Sequence, residues 1–445
     1  MDWHNKFHLE MPHGLINDPN GLCYHQGKYQ IFFQWNPFSC EHKHKHWAYT
    51  QTTDFIHYTK PEIALAPVDS FDKNGCYSGS ARSRQGQLEI FYTANLKDAQ
   101  DIRYPRQILA KKNDDGSFSK TAIIINDVPE GYTTHFRDPY LFTKDNRSFM
   151  VLGAQRANLT GCALIYEEID ASWQFRGELK TQLTDFGYMW ECPNFITIGQ
   201  QDILLFCPQG LSTQGTKYQN LYQSGYIIGQ FNPDTLEFVH GDFYELDMGF
   251  DFYAPQVLVH ENRHILLGWI GMPDRLAEYP STTAGWVHSL TMPRELSLRD
   301  NRLYQKPIVE LTALEQHGAT ERITAPCKLA ISVALAEIDV WQATLQINDE
   351  QILLAYDKNS ALFTIDREGL KLGGKGVRKC LLPTDERLNL ELYIDTSIIE
   401  LYAQDGQQCA TLCYYPEKQV NSIGFQQNTN NAITNIVKLN SIRYE

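Results

Sequence analysis

The chain has 445 residues, with 39 Lys and Arg against 53 Asp and Glu and a formal net charge of −14. That balance argues against a nucleic-acid partner and against an anionic membrane surface. A hydrophobic fraction of 42% with 21% charged residues argues against global disorder, and the longest nearly unbroken apolar run, 265–272, is far short of the ~20 residues of a membrane span.

The chain begins MDWHNKFHLE, without the apolar stretch of a signal peptide. Its ten cysteines are scattered, several within apolar runs. Together these predict reduced thiols and a cytoplasmic location. Five short apolar runs then begin at Ile31, Ile90, Phe149, Ile203 and Ile265, at intervals of 59, 59, 54 and 62 residues. Each follows a polar turn, such as 25–28 or 260–263, and before each turn lies another short strand candidate. Strand, tight turn, strand is the pattern of a hairpin. Its recurrence at ~50–60 residues predicts the blades of a β-propeller with about four strands each, an ordinary β-sandwich being the alternative. Some 11 to 13 residues before each run stands a polar or aromatic cluster: Asp18, Tyr77-Ser78, Asp138, Glu191 and 251–253. If the first strand of each blade is innermost, these clusters converge on one pocket. The propeller is expected over 1–305, and a connector, helical around 309–316, over 306–324. Many short alternating segments separated by Gly, Asp and Asn predict an all-β sandwich over 325–445.

Asp18, Asp138 and Glu191 each stand one or two residues before a proline. Singly such an acid is a loop residue; three at equivalent repeat positions point to chemistry. Two carboxylates flanking a bond suffice for glycoside hydrolysis: one attacks or activates water, the other protonates the leaving oxygen. Their environments must separate their pKa values, and a third can grip substrate hydroxyls. Trp35, Trp47, Tyr77, Trp190, Tyr253, Trp269 and Trp286 offer flat faces suited to a sugar, and Asn17 and Gln34 offer directional hydrogen bonds, although each aromatic taken singly is more often core. The segment 40–46, Cys-Glu-His-Lys-His-Lys-His, admits three readings: metal ligation, a solvated basic loop or a phosphate-binding loop. Lys43 and Lys45 would set positive charge beside a cation and the hydrolysis needs none, so neither metal nor cofactor is expected.

The motifs 15–21 (LINDPNG), 33–37 (FQWNP), 77–80 (YSGS), 136–139 (FRDP), 190–193 (WECP), 251–254 (DFYA), Gly268-Trp269 and 293–296 (PREL) occur in an order that resembles glycoside hydrolase family 32, the invertase and fructanase family. Segment 34–47 resembles its branch acting on phosphorylated sucrose. The resemblance implies a five-bladed β-propeller followed by a C-terminal β-sandwich. It implies Asp18 as nucleophile, Glu191 as general acid/base and Asp138 as transition-state stabiliser beside Arg137. Leu15, Asn17, Gln34, Trp47, Tyr77, Ser78, Tyr253 and Trp269 would line the fructose pocket. Two departures stand out: Leu15 replaces the usual Trp, and Ala48-Tyr49 the usual Gly-His. Lys43, His44, Lys45 and His46 are the phosphate candidates, because they precede Trp47. The activity implied is retaining hydrolysis of sucrose 6-phosphate to glucose 6-phosphate and fructose through a fructosyl-Asp18 intermediate. Plain sucrose or short fructans are the alternatives within the class, and an inactive carbohydrate-binding propeller the alternative outside it. The expected partner is a small sugar, with no nucleic acid or membrane; the oligomeric state is open.

Overall fold

The computed structural model describes residues 2–316, 321–384 and 386–445. Among these, strands dominate and the helical elements are short 3-10 turns. The five predicted apolar runs are the second strands of five antiparallel sheets: Lys28–Asn36, Gln87–Lys97, Arg147–Arg156, Gln201–Gln209 and Arg263–Ile270. Each is joined to its first strand by a two-residue turn, as the pairings His25↔Lys28, Arg84↔Gln87, Lys144↔Arg147, Ile198↔Gln201 and His260↔Arg263 require. Four of these turns carry left-handed backbone at both central residues: Gln26-Gly27, Gln85-Gly86, Asp145-Asn146 and Glu261-Asn262. That geometry matches the twist of the flanking strands, and it explains the Gly- and Asn-rich punctuation.

The five first strands are Gly14–His25, Cys76–Arg84, Tyr132–Lys144, Met189–Ile198 and Tyr253–His260. Each packs against the next and the fifth returns against the first, so the sheets radiate as blades from a closed ring. The ring is latched by Trp286–Val287, which pairs in parallel with the start of the first strand, and Arg443–Tyr444 pairs with the outer edge of the first blade.

The last propeller strand ends at Pro307, and a 3-10 turn, Val309–Leu314, follows. Part of the expected connector, 317–320, lies outside the described residues. From Cys327 two five-stranded sheets face each other. Alternate residues of Cys327–Ala334 and Val340–Ile347 turn inward, placing Leu329, Ile331 and Val333 against Trp341, Ala343 and Leu345 in one core. This is the period-two burial of a sandwich. Met248 and Phe250, from the approach to the fifth blade, enter the same core, so sandwich and propeller share apolar surface.

Candidate active site

One irregularity repeats in all five blades and builds the site. Each first strand carries one extra residue opposite its partner, between Ile16 and Pro19, Cys76 and Gly79, Arg137 and Tyr140, Glu191 and Asn194, and Tyr253 and Gln256. A bulge of this kind re-aims side chains and frees a ladder position. Proline, which has no N–H to donate, stands at four of the five: Pro19, Pro139, Pro193 and Pro255. Asp138, Cys192 and Ala254 take left-handed backbone at these bulges. The acid-before-proline motifs are therefore the sequence trace of a backbone device that turns Asn17, Asp18, Tyr77, Ser78, Asp138, Glu191 and Tyr253 toward one axis.

These residues line a cavity of ≈190 Å³ together with Gln34, His42, Lys45, Arg137, Gln209, Tyr222, Trp269 and Pro273. Asp18 Oδ1 accepts from Asn17 Nδ2 at 3.0 Å and its Oδ2 from the Ser78 hydroxyl. Asn17 donates to Gln34 Oε1 at 2.5 Å and accepts from the Lys45 ammonium. Burial pushes the Asp18 pKa up, opposed by Ser78, Asn17 and Lys45. Burial likewise pulls Lys45 down to about 7, with Asp18 opposing it.

Glu191 is held from both sides. Arg137 donates to its Oε1 through Nε at 2.9 Å and Nη2 at 2.6 Å, while the Tyr253 hydroxyl and Gln209 Nε2 donate to Oε2 at 2.7 and 2.6 Å. Burial works to raise its pKa, but the charge of Arg137 and the Tyr253 hydroxyl outweigh it and leave the carboxyl below its ordinary value. Asp138 accepts the backbone N–H of Cys192 at 3.0 Å. Burial pushes it up to about 7, with Glu191 and Asp18 adding to the rise and Arg137 opposing it. Asp138 is the most buried of the three carboxylates and lies beside the charges of Asp18 and Glu191, so it is the acid whose neutral form the site favours, while Arg137 favours the ionised form of Glu191.

Most of the predicted pocket residues meet here, but two do not. Leu15 is fully buried with Ile270, Tyr279 and Trp286, because its strand pairs with Trp286–Val287 at that point. Trp47 fills the space between the first and second blades against Phe32 and Tyr92, and reaches the site only by donating to the Tyr77 carbonyl at 3.0 Å. The phosphate candidates also divide. Lys45 points into the cavity, Lys43 is exposed and paired with Glu41, His44 is exposed, and His46 turns back to the His44 carbonyl. Asp251, in the expected fifth cluster, leaves the cavity and pairs at 2.7 Å with Arg367 of the sandwich. Sequence reasoning missed Gln209, Tyr222 and Cys192. Cys192 Sγ lies 3.8 Å from Asp18 and 3.7 Å from Asp138. The second-strand position of Gln209, two residues beyond a cysteine in an apolar run, carried no signal.

A ring of blades with acids from three of them facing one sugar-sized cavity defines a glycoside hydrolase, and the comparisons agree. Residues 8–307 match the Glycosyl hydrolases family 32 N-terminal domain and residues 229–442 the Glycosyl hydrolases family 32 C terminal. The chain belongs to glycosyl hydrolase family 32. It is 36% identical over 426 residues to a sucrose-6-phosphate hydrolase of Bacillus subtilis, covering 92% of this chain and 88% of the relative. Among solved structures, a sucrose-6-phosphate hydrolase from Lactobacillus gasseri superposes with a TM-score of 0.91 at 30% identity, covering 99% of this chain and 94% of that one. A β-fructofuranosidase of Bombyx mori superposes with a TM-score of 0.89 at 25% identity, over 100% and 95% of the two chains.

Proposed function

We propose that this protein is a retaining β-fructofuranosidase that hydrolyses sucrose 6-phosphate to glucose 6-phosphate and fructose. The observation that carries the reading is the division of labour among three acids in one cavity. Asp18 accepts only neutral donors besides the nearby Lys45 charge, so its oxygens are oriented yet remain nucleophilic. It attacks the anomeric carbon of the fructosyl unit and forms an ester. Glu191 faces the leaving side, gives its proton to the glucosyl oxygen, and later takes one from the attacking water. Asp138 grips furanose hydroxyls. Before substrate arrives, Arg137 favours the charged form of Glu191 and burial the neutral form of Asp138. Hydroxyls donating to Asp138 favour its ionised form, so substrate itself shifts the proton balance from Asp138 toward Glu191, where the first step needs it.

The phosphorylated substrate is supported by the relatives named above, and ten free thiols support placing the reaction in the cytoplasm. The working division of the chain is a catalytic propeller of 1–305, a connector of 306–324 and a sandwich of 325–445. Plain sucrose is the second reading, favoured by the failure of Lys43, His44 and His46 to line the cavity. The test is kcat/KM for sucrose 6-phosphate against sucrose. A clear excess for the phosphate ester is expected; equal values would leave a general fructofuranosidase, and no release of reducing sugar from either would leave a binding propeller.

A further inference from the structure

If Lys45 is committed to Asn17, a phosphate group must be received elsewhere, and the cavity mouth offers a second set of positive groups. In the third blade His135 precedes Arg137 by two residues on one strand, so both side chains lie on the same face, with His135 exposed and Arg137 buried. The strand thus leads outward from Glu191 toward solvent. Arg137 Nη1 lies 3.1 Å from His135 Nδ1. An arginine can only donate, so that nitrogen accepts, and the imidazole proton stands on Nε2, free to donate. Partial burial and the charges of Arg137 and Arg103 push His135 down to about 4, which keeps this neutral tautomer in place. Arg103, at the start of the third strand of the second blade, lies with its guanidinium 5.6 Å from the ring centroid of Tyr77, a cavity residue. Among the described residues Arg103 has no hydrogen-bond or ion-pair partner. In a chain of net charge −14, an unpaired guanidinium lying on an aromatic face beside a second arginine is a place kept open for an anion.

We propose that Arg103 and His135 form the subsite for the phosphate monoester on the glucose unit, a reading that rests on the phosphosucrose function above. Glu191 must protonate the glucosyl oxygen, so glucose lies on the Glu191 side and its C6 substituent projects to the rim where these two residues stand. The guanidinium fork meets two phosphate oxygens, and the imidazole Nε2–H donates to a third. Arg137 is already taken by Glu191 and contributes only its field.

The test compares the ratio of kcat/KM for sucrose 6-phosphate to that for sucrose in the wild type, Arg103→Gln, Arg103→Lys, His135→Gln and Lys43→Ala. A charge-assisted contact predicts a fall in the ratio of about tenfold or more in Arg103→Gln, a partial recovery in Arg103→Lys, a smaller fall in His135→Gln and none in Lys43→Ala. Competitive inhibition by glucose 6-phosphate should weaken in step with the ratio, whereas inhibition by glucose should not. A wild-type ratio near one overturns the phosphosucrose reading and this subsite with it. A high wild-type ratio that survives in both Arg103→Gln and His135→Gln, or collapses in Lys43→Ala instead, overturns the subsite alone.

Discussion

Replacing Asp18 by Asn leaves the Ser78 and Asn17 contacts available but removes the oxygen proposed to form the ester. Turnover should fall by about 10⁴-fold or more, while Glu191→Gln should lose about 10²–10⁴-fold, and less for substrates whose leaving group needs no proton. Near-normal turnover by a folded Asp18→Asn variant would refute the assignment. The pH dependence follows from two neighbours. Asp138 holds a proton up to about pH 7, and Lys45 holds its charge to about the same value. Raising pH through 7 removes the proton of Asp138 and the charge of the Lys45 ammonium bound to Asn17, so kcat/KM, which reports the free enzyme, should fall on that side. A profile still rising at pH 8 would contradict it. Because Lys45 bonds Asn17 within the cavity, Lys45→Ala should lower kcat/KM about equally for phosphorylated and plain sucrose. The three acids were legible in sequence because each carries the proline of its bulge. Lys45 was legible as a cationic candidate beside the pocket, but its bond to Asn17 was not, because only the folded first blade brings residues 17 and 45 together.

At the level of elements, the blades depend on close backbone approach between neighbouring sheets. Gly153, in the second strand of the third blade, faces the carbonyl of Trp190 on the fourth, and a Cβ added there would lie 2.1 Å from that oxygen. Gly153→Ala must push the two blades apart, at a cost of about 1–3 kcal/mol. The same shift moves Glu191, the next residue along, relative to Arg137 and Asp138. We expect a lower melting temperature and a reduced kcat together. A variant with unchanged melting temperature and activity would show that the blades tolerate the separation. The hairpins were readable from turn chemistry and apolar spacing. The bulges were readable only in part: the prolines mark four of them, while the second blade uses Tyr77, Ser78 and Gly79 with none.

The whole molecule is held by a buried charge network between propeller and sandwich. Arg294 donates to Glu400 at 3.0 and 2.6 Å and to Asp247 at 3.1 Å. His8, from the N-terminal segment, bridges Asp395 and Glu400 at 2.9 Å each. Burial alone would lower His8, but these two acids raise it to about 9. A histidine raised above its unfolded value contributes stability that is full below pH ~6.5 and is lost as pH rises through about 9. The shift corresponds to about 3 kcal/mol, and removing the cation leaves two acids buried beside each other. His8→Gln should therefore lower denaturant stability at pH 6 and flatten its decline between pH 6.5 and 9. An unchanged slope across that window would show that His8 is not charged in the folded protein.

The sequence by itself determined the all-β class, the five repeats and the three acids, because turn residues, apolar period and proline-marked bulges act over a few positions and leave local traces. Tertiary structure decided the rest. Trp47 and Leu15 share motifs with pocket residues, yet strand pleat and packing against the neighbouring blade or latch strand turn them into core. Asp251 stands at a spacing close to that of Asp18, Asp138 and Glu191, but an arginine 116 positions away in sequence claims it. Arg103 and His135 have no motif in common and become neighbours only when the second and third blades close side by side. Direction and partnership of charged side chains depend on surfaces brought together from distant parts of the chain, and those no local pattern encodes.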